Sequence, residues 1–454
     1  MERYNEYKDS GVQWLGEIPS HWEVVRLKSV IKDSQSGVWG EDPKHDGSDT
    51  LCLRVADFNY NNGYLKEDNL TYRNYGKELS SNKQLQMRDL LLEKSGGGDL
   101  YPVGRVVRYN FNGIVATCSN FIQKLTPRDN VDSDFIYYLF RTMYYLKVNG
   151  LYYNQTTGIQ NLKVKEYLSQ TVFLPPLSEQ QAIANYLDTA TAKIDEAIAQ
   201  QQKMIGLLNE RKQIIINNAV TKGLNPDAPM KDSGVEWIGE IPEHWEFVKL
   251  KRYCKVRTGK TPSTTKEYYF ENGDIKWFTP GDLNKFELVD SERKVTYRAQ
   301  LEQACNMFPA NTVYLVGIGG TIGKVGFCET EATCNQQINA IIPNGQKINH
   351  KYLAHLIQST KVQILRLANF STLPIINQDR TGTLNIVVPP ISEQESIVNI
   401  LENKSAPINA AIKAAEKQIS LLQERKQIII NDVVTGKVKV SWLQVRQTNK
   451  PLKL

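Results

Sequence analysis

Apolar residues recur in steps of three, four or seven between residues 194 and 215, in a segment otherwise rich in Gln, Lys, Glu and Asn. The same spacing recurs between residues 408 and 429, an offset of 214 residues. The positions are Ile194, Ile198, Ile205, Leu208 and Ile215 in the first segment, and Ile408, Ile412, Ile419, Leu422 and Ile429 in the second. A stripe this narrow is typical of a helix that packs against one partner helix. We therefore expect the two segments to pair, the alternative being that each helix packs on its own domain.

Both predicted helices have a recognisable beginning. They are preceded by LPPLSEQQ, from Leu174, and VPPISEQE, from Val388. The proline pair ends the preceding strand. Ser178 and Ser392 are each followed three residues later by Gln or Glu, a pattern that predicts a capping box at the helix start.

The segments that precede these helices indicate mixed structure. Short apolar or alternating runs, such as residues 104–111 and 312–320, predict strands separated by Gly, Asn, Asp and Pro turns. Asp132–Tyr145 and Asn349–Leu367 have helical spacing. The fold class we expect is α/β (α+β), with two globular mixed domains separated by two long helices.

An internal repeat organises the whole chain. KDSGVQWLGEIPSHWEVVRLK, from Lys8, recurs as KDSGVEWIGEIPEHWEFVKLK from Lys231, and NERKQIIINNAV, from Asn209, recurs as QERKQIIINDVV from Gln423. Residues 29–170 and 252–385 share only fragments. A period this long indicates a duplicated unit of domain plus helix rather than a solenoid. The framework is kept while the inserts differ, which suits two domains that do one job on different targets, although neutral drift after duplication is an alternative.

Composition excludes few classes of protein. Hydrophobic residues make up 41% and charged residues 23%, and the net charge of +6 is compatible with a polyanionic partner. The six cysteines form no CxxC motif, and no run approaches the roughly 18–20 apolar residues of a membrane helix. With no apolar signal region at the start, we expect a reduced, cytoplasmic protein without a membrane partner.

Recognisable catalytic motifs are missing. GIGGTIGKV lacks the first Gly of a phosphate-binding loop, since Ile318 stands there, and Val325 follows Lys324 where Ser or Thr is needed. His350 and His355 are five residues apart, so a helix does not bring them together as metal ligands. His21 and His244 are repeat equivalents beside Trp, for which we expect structural roles. The sequence predicts no catalytic residue and no metal site.

Taken together, the two PPxSEQ boundaries, the two ERKQIII segments and the repeated GxxWxGxIPxHW entry resemble the specificity subunit of type I restriction–modification systems. The resemblance covers essentially the whole chain. It implies target-recognition domains at residues 1–177 and 222–390, helical spacers at 178–221 and 391–436, and a tail at 437–454. The tail has no counterpart in the first repeat, and either packs on the first recognition domain or is disordered.

The resemblance also implies a function. The spacers would form an antiparallel coiled coil with pseudo-twofold symmetry, and each domain would read one half of a bipartite, asymmetric site in double-stranded DNA. Ile194 to Ile215 spans about 30 Å as a helix, close to one B-DNA turn of about 34–36 Å. Two modification (methyltransferase) subunits and the restriction (motor and nuclease) subunits would be the protein partners. S-adenosylmethionine, ATP and magnesium are expected on those partners, and no cofactor is expected in this chain.

Candidate DNA contacts are cations, amides and glycines in the two inserts. Arg pairs with guanine or phosphate, Asn and Gln read adenine edges, and Gly permits close backbone approach. The candidates are Lys94, Gly97, Arg105, Arg108, Asn120, Tyr153, Asn154 and Gln155 in the first insert, and Gly320, Lys324, Asn335, Gln336 and Gln337 in the second. A turn Gly, a solvated cation or a satisfied strand amide is the alternative for each residue.

Two other functions remain open from the residues alone. One is a non-catalytic coiled-coil adaptor with duplicated binding domains, and the other is a nuclease with an unrecognised metal site.

Overall fold

The computed structural model describes residues 2–12, 14–76, 79–156, 158–235, 238–370 and 373–440. It divides into two compact units, the first of which is built from two separate parts of the chain. The first unit comprises Met1–Gln202 and Glu416–Leu454, and the second comprises Lys203–Ala415. Most of the predicted tail, residues 441–454, lies outside the described residues.

The first unit contains a four-stranded antiparallel sheet in the order Val106–Arg108, Leu90–Glu93, Ile122–Pro127, Ile31–Ser36. A second sheet has the order Ala116–Cys118, Thr50–Leu53, Tyr72–Arg73, with its first pair parallel. A third has the order Ser95–Gly96, Ile159–Leu162, Tyr153–Thr156. Two-stranded pairs are Tyr7–Asp9 with Glu17–Pro19, Glu23–Arg26 with Thr171–Leu174, and Phe58–Asn59 with Tyr64–Leu65. The helices are Ser133–Tyr145 and Val164–Leu168, with 3-10 turns at Leu27–Val30, Val55–Asp57, Ser81–Lys83 and Val148–Leu151.

The second unit repeats the strand order of the first two sheets, although its insert has a different sequence. Its four-stranded sheet has the order Val325–Cys328, Thr312–Val316, Ile338–Pro343, Cys254–Thr258, and its three-stranded sheet the order Thr333–Cys334, Ile275–Phe278, Arg293–Val295. Two-stranded pairs are Met230–Asp232 with Glu240–Pro242, Glu246–Lys249 with Asn385–Val388, and Asn369–Phe370 with Pro374–Ile375. The helices are Tyr297–Leu301, His350–Ser359, Lys361–Leu367 and Gln378–Gly382, with 3-10 turns at Leu250–Arg252, Glu267–Tyr269 and Asp282–Asn284. The predicted mixed α/β class is confirmed.

Two long helices contribute to both units. The first long helix runs from Leu177 to Lys222, and the second from Ile391 to Val434. The prediction that Ser178 and Ser392 cap them is wrong, because the helices begin at Leu177 and Ile391 and both serines lie inside the first turn. The carbonyl of Pro176 accepts from the backbone N–H groups of Glu179 and Gln180, and Pro390 does the same in the repeat. The prolines therefore supply the first carbonyl of the helix as well as ending the strand.

The core of the first unit needs both long helices. Around helix Ser133–Tyr145 pack Ile183 and Leu187, from the beginning of the first long helix, and Ile430 and Val433, from the end of the second. Because a beginning meets an end, the two helices run antiparallel there.

In the second unit the two long helices exchange these roles. Its core contains Ile216 and Val220, from the end of the first long helix, and Ile397 and Leu401, from the beginning of the second. The predicted antiparallel pairing is thus confirmed within each unit. The stripe residues Ile194 and Ile408 are buried and the other eight are half-buried. The neighbouring Leu207, Ile214, Leu421 and Ile428 stay exposed.

Each long helix is joined to its domain by the carboxylate at its start. Glu179 accepts from the indole Nε1 of Trp22 at 3.1 Å, and its other oxygen lies 2.6 Å from Nε2 of His21. In the repeat, Glu393 accepts from Trp245 Nε1 at 3.1 Å and lies 2.9 Å from His244 Nε2. Both tryptophan side chains are fully buried. The repeated His-Trp and Ser-Glu-Gln motifs therefore occur together because they bind each other, and the histidines have the structural role that we expected.

The glutamine that follows makes a second connection. Gln180 accepts from the backbone N–H of Asp132 at 2.9 Å and donates to the carbonyl of Pro175. Gln394 accepts from the N–H of Asn349 at 2.8 Å and donates to the carbonyl of Pro389. Asp132 and Asn349 are themselves the N-caps of helices Ser133–Tyr145 and His350–Ser359, the core helices of the two domains. The start of each long helix therefore positions the core helix of its domain.

Replacing Glu179 by Ala should loosen the first unit alone. The change leaves the buried indole N–H of Trp22 without its acceptor, and we expect the free energy of unfolding of that unit to fall by about 1–3 kcal/mol. Hydrogen-exchange mass spectrometry should show faster exchange in peptides over residues 15–28 and wild-type exchange over residues 238–252. Glu393→Ala should give the opposite pattern, and Glu424→Ala, an exposed position on the second long helix, should change neither. Equal effects of the two variants on both segments would contradict the assignment.

Candidate nucleic-acid interface

A cleft of about 1030 Å³ opens in the first unit, between the loop that follows strand Ser95–Gly96 and the turn at Asn120. Three of the predicted DNA contacts line it, namely Gly97, Arg105 and Asn120. Asn120 is exposed and its amide is available to a ligand. Trp39, Leu100 and Tyr101 also line the cleft, and no sequence pattern had singled them out.

The loop of residues 97–104 is held from behind by buried polar side chains. Val103 is bonded on both sides, because its N–H donates to Gln160 Oε1 at 3.1 Å and its carbonyl accepts from Asn149 Nδ2 at 2.7 Å. The hydroxyl of Tyr144 donates to the carbonyl of Pro102 at 3.0 Å. These bonds fix the loop while its tip remains in solvent.

Gly97 is required at the start of this loop. Its φ is +60°, and a Cβ atom there would lie 2.8 Å from the backbone nitrogen of Val103. The tight approach turns the chain outwards, so that Leu100 is 87% exposed and Tyr101 65% exposed. The result is an apolar tip on a rigid loop, which is an unusual feature for a surface that stays in water.

Arg105 lines the same cleft, but its charge is already paired. Its guanidinium donates to both oxygens of Glu93, at 2.7 and 3.0 Å, and lies over the ring of Tyr60 at 3.8 Å. Burial raises the pKa of the Glu93 carboxyl, and the bonds from Arg105 oppose that rise. Arg105 therefore shapes the cleft wall, and it can pair bidentately with a guanine only by releasing Glu93.

Arg108 is buried and does not line the cleft. Its guanidinium lies 2.9 Å from both Asp134 and Asp188 and packs on the rings of Tyr64 and Tyr137. It therefore connects the core helix to the first long helix inside the unit. A strand pattern alone does not distinguish an Arg of this kind from one that faces solvent.

Lys94 faces a different cleft of the first unit. That cleft, of about 760 Å³, is also lined by Lys28, Lys163 and Lys165. The Lys94 ammonium donates to Ser36 Oγ at 2.6 Å, and burial lowers its pKa. The structure does not bring Lys94 together with Arg105 and Asn120 in one cleft.

The predicted polar–aromatic segment lies on a hairpin beside the glycine loop. Its strands, Tyr153–Thr156 and Ile159–Leu162, continue the sheet that begins with Ser95–Gly96. Asn154 and Gln155 are exposed, whereas Tyr153 is half-buried against the core. The glycine loop and the hairpin thus present one continuous edge.

In the second unit, the predicted contacts divide into exposed and internal residues. Gly320 and Gln336 are exposed, and Lys324 lines a cleft of about 740 Å³, where its ammonium donates to Asn284 Oδ1 at 2.5 Å. Asn335 is buried, and both ends of its amide bond to Gln337, at 3.0 Å each. Asn335 and Gln337 therefore shape a turn rather than present free amides.

The described part of the chain shows neither a metal site nor a membrane span. No group of three or more His, Cys, Asp or Glu side chains is placed there to hold a metal ion. Among the same residues, no helix is long and apolar enough to cross a membrane.

Comparison with known proteins gives one consistent family. The model of the type I restriction modification DNA specificity domain matches residues 19–205 and again residues 242–421. The MjaVIII specificity subunit of Methanocaldococcus jannaschii, a type I restriction enzyme subunit, is 26% identical over 98% of this chain and 99% of its own length. The putative MjaX specificity subunit of the same organism is 24% identical over 94% and 96%.

A solved structure supports the fold. A chain from a type I restriction–modification system, studied for complex assembly and conformational transition, matches with a TM-score of 0.67 and 14% identity over 93% of this chain and 99% of that chain. Because the family model matches both repeats, the chain belongs to the type I restriction–modification DNA specificity family, with the role of a DNA specificity subunit.

Proposed function

We propose that this chain binds double-stranded DNA through its two units, each of which reads one part of a bipartite and asymmetric site. The observation that carries the proposal is that equivalent strands of the two units are followed by loops of different composition. The loop of residues 97–104 follows strand Leu90–Glu93 in the first unit, and the glycine turn ending at Lys324 follows the equivalent strand Thr312–Val316 in the second. A shared framework with different loops suits two domains that both bind DNA but recognise different base sequences.

The first cleft has the groups that direct base reading requires. The Asn120 amide can pair with the edge of an adenine, and the fixed apolar tip at Leu100 and Tyr101 can pack on a thymine methyl group. Because the loop is rigid before binding, little conformational entropy is lost when it contacts a base. We assign Arg105 and Arg108 to the support of this surface rather than to base contacts.

The antiparallel helices give the proposed site its orientation. In each unit the beginning of one long helix packs on the end of the other. We infer from this pairing that the two halves of the DNA site are read in opposite directions along the duplex.

Exposed apolar pairs on the long helices support docking of two copies of one partner. Leu207 and Ile214 lie in the second unit, and Leu421 and Ile428, their equivalents at an offset of 214, lie in the first. All four are at least 46% exposed, although each directly precedes a half-buried stripe residue in the sequence. We assign them to two modification subunits.

The chemistry in this proposal belongs to the partners. We propose that modification subunits carry S-adenosylmethionine, that restriction subunits use ATP and magnesium, and that this chain is not catalytic. Glu93, a buried carboxylate that lines the first cleft, has both oxygens occupied by Arg105, which suits structure rather than acid–base catalysis. An adaptor without DNA binding is not favoured, since the matched family is one of DNA specificity.

Co-expression with its modification subunits should add one methylated motif to a host genome. We expect adenine methylation at a two-part, non-palindromic motif, detected by methylation-sensitive sequencing, and no new motif from the chain expressed alone. If the assembled complex produces no motif, the proposal fails. Methylation or cleavage by the lone chain would instead identify it as an enzyme.

Replacing residues 252–385 by residues 29–170 should make the site symmetric. The hybrid carries two copies of the first reader on opposed frameworks, so we expect the motif to become an inverted repeat of one original half. The reciprocal exchange should give an inverted repeat of the other half. A direct repeat, or a motif unchanged from the wild type, would contradict opposed readers.

Polar substitutions in one exposed pair should remove one modification subunit. We expect Leu207→Ser with Ile214→Ser to reduce the complex from two modification subunits to one in native mass spectrometry, because the equivalent pair remains. Val362→Ser, at an exposed apolar position outside the pairs, is the control. Retention of both subunits after the double substitution would exclude this surface.

A further inference from the structure

The same structural corner differs in charge between the two units. In the first, Lys426 of the second long helix is buried, and its ammonium lies 2.6 and 2.7 Å from the two carboxylate oxygens of Asp195 and 2.6 Å from the carbonyl of Asn61. In the second, the equivalents at an offset of 214 are Lys212 and Asn409, whose side chains are joined at 2.8 Å. An amide replaces the carboxylate, so the charge of Lys212 is not neutralised by this partner.

Three more lysines surround Lys212. Lys285, Lys324 and Lys361 line the same cleft of about 740 Å³. Its polar lining is otherwise made of hydroxyl and amide groups, among them Asn217, Asn284 and Gln358, and no carboxylate lines it. By contrast, the larger clefts of the first unit include Glu93 and Asp99, or Glu166. Four like charges around one concavity repel each other, and an anion between them removes that repulsion.

The cations come from four separate elements of the second unit. Lys212 lies on the first long helix, Lys285 follows the turn Asp282–Asn284, Lys324 precedes strand Val325–Cys328, and Lys361 begins helix Lys361–Leu367. Gly323, with φ +87°, keeps room for this arrangement, since a Cβ atom there would lie 3.2 Å from Cγ of Lys361. The lysines therefore come together through the fold, and they do not form a single basic run in the sequence.

A histidine behind the cleft does not add to its charge. His355 is buried against Phe286, with ring centroids 4.5 Å apart. Burial, and then repulsion by Lys212, lower the pKa of His355 to about 4, so it is neutral near pH 7. The positive charge at the cleft is thus that of the lysines.

We propose that this lysine cleft of the second unit binds the phosphodiester backbone of DNA. The inference rests on the proposed function, and adds to it an anchor that is independent of base sequence. Lysine is a compact cation on a flexible stem, which suits phosphates whose exact positions vary with sequence. Asp195 neutralises the charge of Lys426, the equivalent lysine of the first unit. The phosphate anchor therefore belongs to the second unit alone, which suits an asymmetric DNA site.

The test is the salt dependence of DNA binding by the assembled complex with its modification subunits. Binding of a duplex with the methylated motif, and of a duplex without it, is measured between 50 and 200 mM salt, a range over which phosphate contacts change affinity strongly. Each lysine–phosphate contact contributes about 0.9 to the slope of log affinity against log salt. For Lys285→Gln with Lys361→Gln we expect the slope to fall by about two in total, with the same fold-loss of affinity for both duplexes and an unchanged motif.

A matched control and a second variant keep the result interpretable. Lys255→Gln with Lys347→Gln removes two exposed lysines of the same unit that do not line the cleft, and should leave the slope unchanged. Asn409→Asp restores the carboxylate found in the first unit, and should lower the slope by about one while every lysine remains. Thermal melting confirms that each complex is folded.

Two outcomes would overturn the anchor. One is a wild-type slope in both the double lysine variant and Asn409→Asp. The other is binding of inorganic tripolyphosphate or ATP that the double variant abolishes while its DNA slope stays unchanged, which would identify a site for small polyphosphates. Failure of the wild-type complex to bind either duplex would instead contradict the proposed function itself.

Discussion

The hydrogen bond between a buried indole and the carboxylate at the start of a long helix is the contact on which both units depend. Trp22 with Glu179, and Trp245 with Glu393, join the entry segment of each domain to the helix that leaves it. A buried N–H without an acceptor is destabilising, so neither partner can change alone without a loss of stability. The adjacent glutamines, Gln180 and Gln394, extend this control to the core helices.

A framework fixed in this way leaves the loops free to differ. The strands of the two inserts follow the same order in their sheets, although their sequences share only fragments. Burial explains this, because a strand of a core sheet requires apolar residues of suitable volume but no particular sequence. The residues that differ at the surface, such as Leu100 in one unit and Lys324 in the other, can then change what is bound without changing the fold.

Charge shows the same separation of roles. Arg105, Arg108 and Lys426 are paired with carboxylates inside the first unit, where an unpaired charge would be costly. In the second unit Lys212 has an amide as its partner, and three further lysines face the same cleft. Counting cations along the chain does not separate these cases, since the net charge of +6 contains both kinds.

The sequence by itself determined the duplication, the mixed α/β class and the pairing of the long helices, because these follow from periodicity and repetition along the chain. It also placed the core helices, whose N-caps at Asp132 and Asn349 are local signals. It misplaced the starts of the long helices. The first helical hydrogen bonds are accepted by the carbonyls of Pro176 and Pro390, before Ser178 and Ser392.

Only the tertiary structure decided which polar residues face a ligand. Arg108 and Asn335 are internal, whereas Leu100 is exposed on a loop held by Gln160 and Asn149, far away in sequence. The four lysines of the second cleft lie as much as 149 positions apart, between 212 and 361. The physical reason is that the partner of a charge or an amide is chosen by packing between distant segments, and a local pattern does not contain that choice.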